Sequence, residues 1–256
     1  MIDARAIIAP DADIGDDVEI GAYSIIGAGV KIGAGTWIGP HAVINGPTTL
    51  GRGNRVFQFA SIGDAPQDKK YGGEPTRLEI GDGNVFREFC SINRGTISGR
   101  SVTRIADDCL FMAYSHVGHD CIVGSHCILS NCTALAGHVE LGDWTILSGY
   151  SGVHQFCKIG AHAFLANNAA VTRDVPPYLL VAGSPAEPKG VNSEGLKRRG
   201  FDAAQIANIK SAYRLLYRSG LKLAEAAAQL KELSASQPEL APFADFLSSS
   251  ERSIIR

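Results

Sequence analysis

The chain has 256 residues, 45% of them hydrophobic and 20% charged, which suits a substantial core in one large domain or two modest ones. Its net charge of −2 gives no reason to expect nucleic acid or an anionic membrane as a partner. No stretch approaches the roughly 20 apolar residues of a membrane span, and the opening MIDARAIIAPDADIGDD lacks the apolar run of a signal peptide. We therefore expect a cytoplasmic protein with no stable membrane insertion.

Aliphatic residues recur every six positions from Ile14 onward. The hexads begin IGDDVE, IGAYSI, IGAGVK, IGAGTW and IGPHAV, and the register continues to Ile62. It returns at residues 80–85 and again at Ile105, from which it runs unbroken to residue 176. Every first position is Ile, Leu, Val or Phe. A period of six matches neither a heptad nor an amphipathic helix, and it is typical of a parallel β-helix.

We predict a left-handed parallel β-helix over residues 1–190, in which three hexads make one triangular coil. The aliphatic first residue of each hexad should point inward and stack on its equivalent in the next coil. Successive coils should rise by about 4.8 Å, the spacing of hydrogen-bonded strands. The glycine that often follows the aliphatic residue suggests a corner with positive φ.

Five of the six cysteines share the fifth place of a hexad, where other repeats have alanine, valine or threonine. That place should face the narrow interior, so we interpret these cysteines as core packing rather than metal ligands or disulfides. No CxxC pair argues otherwise, and free buried thiols fit a reducing compartment. The five are Cys90, Cys109, Cys121, Cys127 and Cys157.

Two segments leave the hexad register. Residues 63–79, GDAPQDKKYGGEPTRLE, are too long and too polar for a corner, and residues 93–104, NRGTISGRSVTR, form a shorter second excursion. Both should project as loops. Insertions in repeat proteins gather on one face and often form the binding face, although a tolerated surface insertion is the alternative.

The β pattern is expected to stop at DVPPYLLVAGSPAEP, because paired prolines cannot continue a ladder. We predict a C-terminal α-helical domain over residues 191–256. Its main helix should have Asp202 as N-cap, Gln205 three residues later and Gly220 as a stop. LKLAEAAAQLKEL and PELAPFADFLSSS predict two more helices. The domain should cover one end of the β stack.

Three histidines fall in hexads that lie on the same face of successive coils. His119, His138 and His154 occupy the third, fourth and second places of the hexads that begin at positions 117, 135 and 153. They should project outward as one strip, with His116 at the adjoining corner. The other histidines fall on other faces, where we expect surface or interface residues: His41, His126 and His162.

The histidine strip has three interpretations. The histidines could only make hydrogen bonds between coils or at a subunit contact. Three imidazoles could hold zinc with one open position, but the staggered places do not suggest ligands that converge on a point. We favour a catalytic strip, in which one histidine is a general base and the others bind a polar ligand.

Seven segments, in order along essentially the whole chain, resemble the bacterial UDP-N-acetylglucosamine 3-O-acyltransferases of lipid A biosynthesis, a family of hexapeptide-repeat enzymes. Hexads alone are shared by many transferases, whereas this set followed by a helical tail is more specific. The segments are QFASIG (58–63), GEPTRLEIG (73–81), HVGHDCIVG (116–124), LAGHVELGD (135–143), VHQFCKIGAH (153–162), DVPPY (174–178) and GVNSEGLKRRGF (190–201).

The resemblance implies transfer of a 3-hydroxyacyl chain from acyl carrier protein to the 3-hydroxyl of UDP-N-acetylglucosamine, the first step of lipid A biosynthesis. By position, His119 would be the general base and Asp120 would orient or polarise it. The backbone N–H of Gly137 would stabilise the oxyanion. No metal and no bound cofactor are implied, since 4′-phosphopantetheine arrives on the carrier protein.

The resemblance also implies a homotrimer with sites between subunits. For the run LKRRG, a solvated charge run is the alternative to a diphosphate contact. The acidic carrier protein could dock by charge complementarity on the same basic residues, Lys70, Arg198 and Arg199, together with Lys197, Arg214, Arg218 and Lys222. The implied substrate contacts are Asp68, Lys70, His116, His138, His154, Gln155, Asn192, Glu194, Arg198 and Arg199.

Two positions depart from the family pattern. Asn93 stands where members often have histidine, so a nucleotide contact there should differ. Asn167 stands at the position of the acyl-chain ruler, where glycine permits a longer chain. Because asparagine is bulkier and polar, we expect a shorter acyl chain than the glycine form accepts.

Three other functions compete with this one. Another hexapeptide acyltransferase could use a coenzyme A donor or make an amide on a UDP-amino sugar. A zinc carbonic anhydrase could be built on the same scaffold. A non-enzymatic solenoid could bind a repetitive surface, but it should show ladders of one outward residue, which this sequence lacks. The tail GVNSEGLKRRG favours the O-acyltransferase family.

Overall fold

The computed structural model describes residues 1–250 and 253–256, and its N-terminal part is a solenoid of short parallel strands. Each full coil gives one strand to each of three sheets, which the chain visits in the order one, two, three. We call the turn from sheet one to sheet two the first corner, that from two to three the second, and that back to sheet one the third. This arrangement confirms the predicted left-handed parallel β-helix.

The three sheets run the length of the solenoid. Sheet one contains Ile7–Ile8, Ile25–Ile26, Val43–Ile44, Ser61–Asp64, Ser91–Asn93, His116–Val117, Ala134–Leu135, Gly152–Val153 and Ala170–Val171. Sheet two contains Asp13–Ile14, Val30–Ile32, Thr48–Leu50, Arg77–Ile80, Val102–Ile105, Ile122–Val123, Glu140–Leu141 and Lys158–Ile159. Sheet three contains Glu19–Ile20, Trp37–Ile38, Arg55–Val56, Val85–Phe86, Leu110–Phe111, Ile128–Leu129, Ile146–Leu147, Phe164–Leu165, Leu179–Ala182 and Glu187–Val191.

Paired residues on neighbouring strands are 18 positions apart wherever the hexads are uninterrupted. On sheet one, Val117 pairs with Leu135, which pairs in turn with Val153. These first-place residues are buried. In the same interior Phe86 stacks on Phe111, with ring centroids 4.8 Å apart. The repeated first residue therefore builds one continuous core along the solenoid axis.

The corners differ from the prediction about glycine. Positive φ occurs at the fourth place of the hexad, for example 57° at His41 and 62° at Trp144. The glycines at the second place instead allow close packing between neighbouring coils. A Cβ on Gly33 would lie 2.4 Å from the backbone of Gly51 in the next coil. The prediction of positive φ at the second place was therefore wrong: within the hexads the positive φ lies at the fourth place, and a glycine such as Gly33 is required by close contact between coils.

The five fifth-place cysteines are free thiols buried in the interior. Cys121 is representative, since its Sγ donates to the Ala136 carbonyl at 3.2 Å. Burial raises the pKa of the Cys121 thiol to about 12. These thiols therefore pack the core, as the register predicts.

Both excursions leave the solenoid at the first corner, between a strand of sheet one and a strand of sheet two. Strands extend into both predicted segments, so the irregular parts are residues 65–76 and 94–101. Arg94 ties the excursions together. Its guanidinium donates to the Gly63 carbonyl at 2.6 Å and to the Tyr71 hydroxyl at 3.2 Å.

The β structure continues beyond the paired prolines, so the prediction that it stops there was wrong. Pro176 and Pro177 lie in the turn before Leu179–Ala182, where no ladder N–H is required. That strand pairs in parallel with Phe164–Leu165 and antiparallel with Glu187–Val191. The antiparallel strand ends at Val191, next to the first helix.

The C-terminal helices are α1 (Ser193–Arg198), α2 (Ala203–Arg218), α3 (Leu223–Ser234), a 3₁₀ turn (Pro238–Leu240) and α4 (Ala241–Ser249). The predicted capping box is confirmed, since the Asp202 carboxylate accepts from the Gln205 N–H at 2.8 Å and the Gln205 side chain accepts from the Asp202 N–H at 3.0 Å. Helix α1 was not predicted. None of the described helices has the length and apolar character needed to cross a membrane.

Candidate active site

A groove of about 570 Å³ runs along sheet one beside the first corner. Its floor is a column of small outward residues, Ala134, Gly152 and Ala170, which pair with one another across neighbouring strands. His116 pairs with Ala134 at one end of this column. Because these side chains are small, they leave a shallow apolar channel on sheet one, with the polar residues of the first corner along its edge.

Four of the site residues predicted from sequence line this groove: His116, His119, Gly137 and His154. His116 lies in a strand of sheet one, so the prediction that it lies at a corner was wrong. Its Nδ1 is 2.7 Å from the Ser91 hydroxyl. Burial lowers the pKa of His116, which favours the neutral ring.

His119 is joined to the next residue, Asp120, by a hydrogen bond of 2.9 Å between Nδ1 and Oδ2. The carboxylate is 0% exposed, whereas the His119 ring reaches the groove. When Nδ1 donates to the carboxylate, Nε2 carries the lone pair. His119 therefore has the arrangement of a general base that is oriented from behind.

The Asp120 carboxylate accepts several hydrogen bonds besides the one from His119. The hydroxyl of Thr96 donates to Oδ2 at 2.6 Å, and the backbone N–H of Arg100 donates to Oδ1 at 2.7 Å. Burial alone would raise the pKa of Asp120, but the bonds from Thr96, His119 and Arg100 outweigh burial and lower that pKa. Asp120 is thus a stable anion behind the imidazole.

Gly137 lies against the other side of the His119 ring. A Cβ on Gly137 would be only 2.7 Å from Nε2, so a side chain there would collide with the imidazole. Among the described residues, none accepts a hydrogen bond from the Gly137 N–H. A backbone N–H that has no acceptor among the described residues therefore belongs to the residue that packs against the His119 ring.

His138 packs behind His119 rather than on the groove wall. The two rings meet edge to face at 5.1 Å, and Nε2 of His138 is 3.8 Å from Oδ2 of Asp120. His138 also stacks on Phe156, with ring centroids 4.3 Å apart. Burial lowers the pKa of His138, although the Asp120 carboxylate opposes this effect.

His154 lies at the rim of the groove, and two residues of the first excursion lie in a neighbouring cavity. His154 is exposed, with Nδ1 3.1 Å from the carbonyl oxygen of Gln155. Asp68 and Lys70 of the first excursion line a smaller neighbouring cavity of about 140 Å³. Asp68 accepts from the Lys70 N–H at 2.9 Å and is close enough to His138 to influence its titration.

A second group of predicted residues lies at the second corner, around His162. Nη1 of Arg199 is 3.2 Å from the His162 Nδ1, and its guanidinium lies over Trp144 at 5.2 Å. Asn192 donates to the His162 carbonyl at 3.0 Å, and its side-chain oxygen caps α1. Helix α1 also carries Glu194, which pairs with Lys197 at 2.9 Å.

The single chain does not bring these residues to the groove. Asn192, Glu194, Arg198 and Arg199 follow the last strand of sheet three, whereas the histidines of the groove lie at sheet one and the first corner. Asn167 lies at the third corner, exposed, and does not line the groove. The predicted site is therefore divided between corners of one chain.

Comparisons with known proteins identify the family. An acyl-(acyl-carrier-protein)–UDP-N-acetylglucosamine O-acyltransferase of Stutzerimonas stutzeri is 53% identical over 256 residues, which cover 100% of this chain and 99% of the relative. A protein of the same name from Thiobacillus denitrificans is 54% identical over 255 residues, with the same coverage of both chains. The chain belongs to this O-acyltransferase family.

Solved structures and family models agree with that assignment to the O-acyltransferase family. The UDP-N-acetylglucosamine acyltransferase of Francisella novicida superposes with a TM-score of 0.98 at 43% identity, covering 100% of this chain and 94% of the other. The model described as Udp N-acetylglucosamine O-acyltransferase, Domain 2, matches residues 174–255. The model described as Bacterial transferase hexapeptide (six repeats) matches residues 103–137. The resemblance drawn from the sequence is confirmed.

The zinc alternative can be examined on the geometry of the histidines. Among the described residues, His119, Asp120 and His138 offer ligand atoms within 4.8 Å of one another. However, Oδ2 of Asp120 already accepts the Thr96 hydroxyl, the Thr96 N–H and the His119 ring. An oxygen with its lone pairs engaged in this way is a poor metal ligand. The absence of a metal in this O-acyltransferase stays a prediction.

Sequence reasoning missed two parts of the site. The floor residues Ala134, Gly152 and Ala170 precede first-place residues of successive coils, so the register could have found them. Thr96 and Arg100 carry no comparable signal, because the second excursion lies outside the hexads. Their relation to Asp120, which lies 24 positions from Thr96 and 20 from Arg100, emerges only from the folded chain.

Proposed function

We propose that this protein transfers a 3-hydroxyacyl chain from acyl carrier protein to the 3-hydroxyl of UDP-N-acetylglucosamine, as the first step of lipid A biosynthesis in the cytoplasm. The names of its relatives support the donor and the acceptor. The observation that carries the mechanism is the buried bond between His119 and Asp120 at the edge of the groove. It gives His119 the role of general base.

The reaction begins when Nε2 of His119 takes the proton of the sugar hydroxyl while its oxygen attacks the thioester carbonyl. An alcohol has a pKa far above 7, so a positioned base contributes about 10²- to 10⁴-fold. Asp120 stabilises the imidazolium that forms. The Gly137 N–H donates to the oxyanion of the tetrahedral intermediate. When the carbon–sulfur bond breaks, His119 returns its proton to the departing thiolate.

The groove suits the acyl donor. Ala134, Gly152 and Ala170 leave room for an extended chain along sheet one, and His119 lies at the edge of that channel. In this proposal 4′-phosphopantetheine enters as part of the carrier protein, and no cofactor is resident. The carrier protein docks on basic residues of the helical domain.

The homotrimer belongs to the same proposal. Arg198 and Arg199 lie apart from the groove of their own chain, and a neighbouring subunit would have to supply them to the nucleotide. Their guanidinium groups suit a diphosphate. In the proposed cyclic trimer, the second corner of each subunit lies beside the groove of the next subunit, which makes three equivalent sites.

One assay tests the proposal. Purified protein is incubated with UDP-N-acetylglucosamine and acyl carrier proteins that bear 3-hydroxyacyl chains of different lengths. We expect His119→Ala to lower kcat by about 10²- to 10⁴-fold, whereas His41→Ala, at the third corner, should leave activity intact. Equal transfer by wild type and His119→Ala would exclude the mechanism. The same donor series tests Asn167, and a product dominated by fourteen-carbon chains would contradict the expected shorter chain.

A further inference from the structure

The second excursion closes on itself directly over Asp120. The carbonyl of Thr96 accepts from the N–H groups of Gly99 and Ser101 at 3.1 and 2.9 Å, which makes residues 96–101 a compact turn. Gly99 packs so closely that a Cβ would lie 2.5 Å from the Asp120 carboxylate and 2.5 Å from the His138 ring. The turn is therefore part of the site interior.

Each carboxylate oxygen of Asp120 is engaged by this turn. Oδ2 accepts the Thr96 hydroxyl at 2.6 Å and the Thr96 N–H at 3.0 Å. Oδ1 accepts the Arg100 N–H at 2.7 Å. Thr96 is 2% exposed, so water does not replace its hydroxyl. The oxygen that holds the His119 ring is thus the same oxygen that Thr96 fixes.

The backbone of Asp120 is held by the same segment. Nη1 of Arg100 donates to the Asp120 carbonyl at 2.8 Å, and the Asp120 N–H donates to the Thr103 hydroxyl at 2.8 Å. Arg100 in turn forms an ion pair with Glu140 on the next coil. Such contacts on both sides of a residue are not expected of a tolerated surface insertion.

We propose that Thr96 and Arg100 are positioning residues for catalysis: acting through Asp120, they fix the orientation of His119 so that Nε2 meets the acceptor hydroxyl. This inference rests on the proposed function, in which His119 is the base. It also gives the second excursion a purpose, which is to cover and orient the buried carboxylate.

The hydrogen bonds from Thr96 also set how strongly Asp120 attracts the proton of His119. The Thr96 hydroxyl partly offsets the negative charge on Oδ2 of Asp120. Without this donor, the carboxylate stabilises the imidazolium of His119 more strongly. The acid limb of the kcat/KM profile should then move to higher pH. The other titratable and charged groups that face the pair are His116, His138, Arg100 with Glu140, and Asp68.

The test compares Thr96→Val and Thr96→Ser with a matched control, Thr133→Val. Thr133 is also buried, but its hydroxyl bonds to none of the described residues. We expect Thr96→Val to lower kcat roughly tenfold, as the loss of one hydrogen bond to a charged group does, with a smaller change in KM. Its acid limb should move to higher pH. Thr96→Ser should restore both, and Thr133→Val should match wild type.

An active wild type together with a Thr96→Val variant that matches Thr133→Val in kcat and pH profile would overturn this inference alone. An inactive wild type would instead contradict the proposed function. If Thr96→Val does not fold, as thermal unfolding would show, Arg100→Gln decides the matter. That variant removes the guanidinium from the Asp120 carbonyl, and we expect a lowered kcat; wild-type kcat and pH profile would refute the inference.

Discussion

Asp120 and Asp108 have the same backbone conformation but very different exposure to solvent. Both occupy the fourth place of a hexad, with φ of 59° and 55°, and both have a histidine nearby. The Asp108 side chain is 60% exposed at the second corner, whereas Asp120 is fully buried at the first. The difference arises from the second excursion, which covers only the first corner. Burial converts an ordinary corner residue into a fixed anion beside His119.

Asp120→Asn should abolish most activity while leaving the fold intact. The amide has nearly the same shape, but it carries no charge and presents a donor where Thr96, Arg100 and His119 already donate. His119 would then lose both its fixed tautomer and the stabilisation of its imidazolium. We expect kcat to fall by as much as about 10⁴-fold, the effect of the equivalent change in a Ser-His-Asp triad.

The control for that substitution is Asp108→Asn, which changes an exposed aspartate at the same hexad place. It should retain wild-type activity. Thermal unfolding of both variants shows whether they remain folded. A folded Asp120→Asn with activity near that of Asp108→Asn would mean that the charge of Asp120 has no part in the reaction.

At the level of elements, the strands were predictable because each coil repeats the same local rule. An aliphatic residue every six positions determines which side chains enter the core, and the pairs Val117 to Leu135 and Leu135 to Val153 follow from it. The excursions obey no such rule. Thr96 meets Asp120 across 24 positions, and the turn that joins them depends on tertiary contacts. The common corner of His119, His138 and His154 could therefore be predicted, whereas the packing of His138 behind His119 and the bonds from Thr96 to Asp120 could not.

Gly152 provides a test of the groove floor. A Cβ on this residue would meet nothing within 4 Å, because it points into the open groove. Gly152→Leu should therefore fold normally, since glycine is a poor strand residue and the added Cβ meets no other atom. The leucine would occupy the channel and displace the donor. We expect kcat/KM for the acyl donor to fall by about 10²-fold, the effect of misplacing a substrate by about 1 Å.

The measurement pairs donor kinetics with the midpoint of thermal unfolding. Gly152→Ala, which adds one methyl group, should give an intermediate loss. Unchanged kinetics in a folded Gly152→Leu would mean that the acyl donor does not use this part of sheet one.

On the scale of the whole molecule, His162 joins the solenoid to the helices. Burial, with help from the nearby Arg199 guanidinium, lowers the pKa of His162 from its ordinary 6.5 to about 4. Between pH 4 and pH 6.5, His162 is protonated in the unfolded chain but neutral in the folded chain. Stability is therefore complete above pH 6.5 and falls as the pH drops toward 4, by at most about 1.4 kcal/mol per pH unit from this residue.

His162→Gln should weaken that pH dependence, because an amide can accept a hydrogen bond from Arg199 without titrating. The difference between unfolding midpoints at pH 7 and pH 5 should be smaller in the variant than in wild type. Part of the dependence should persist, since burial also lowers the pKa of His116 and of His138. If the two midpoints differ by the same amount in the variant and in wild type, His162 does not contribute to the loss of stability in acid.

In the proposed homotrimer, a complete site takes His119 and the arginines of the second corner from two different subunits. His119 would come from one subunit and Arg198 from its neighbour, so two inactive variants should complement each other. When His119→Ala and Arg198→Ala are unfolded together and refolded as a mixture, about a quarter of the sites in a cyclic trimer should contain both wild-type residues. The mixture should therefore recover about that share of activity. Mixed assemblies, confirmed by tagging one variant, that are no more active than the separate variants would show that each subunit builds its site alone.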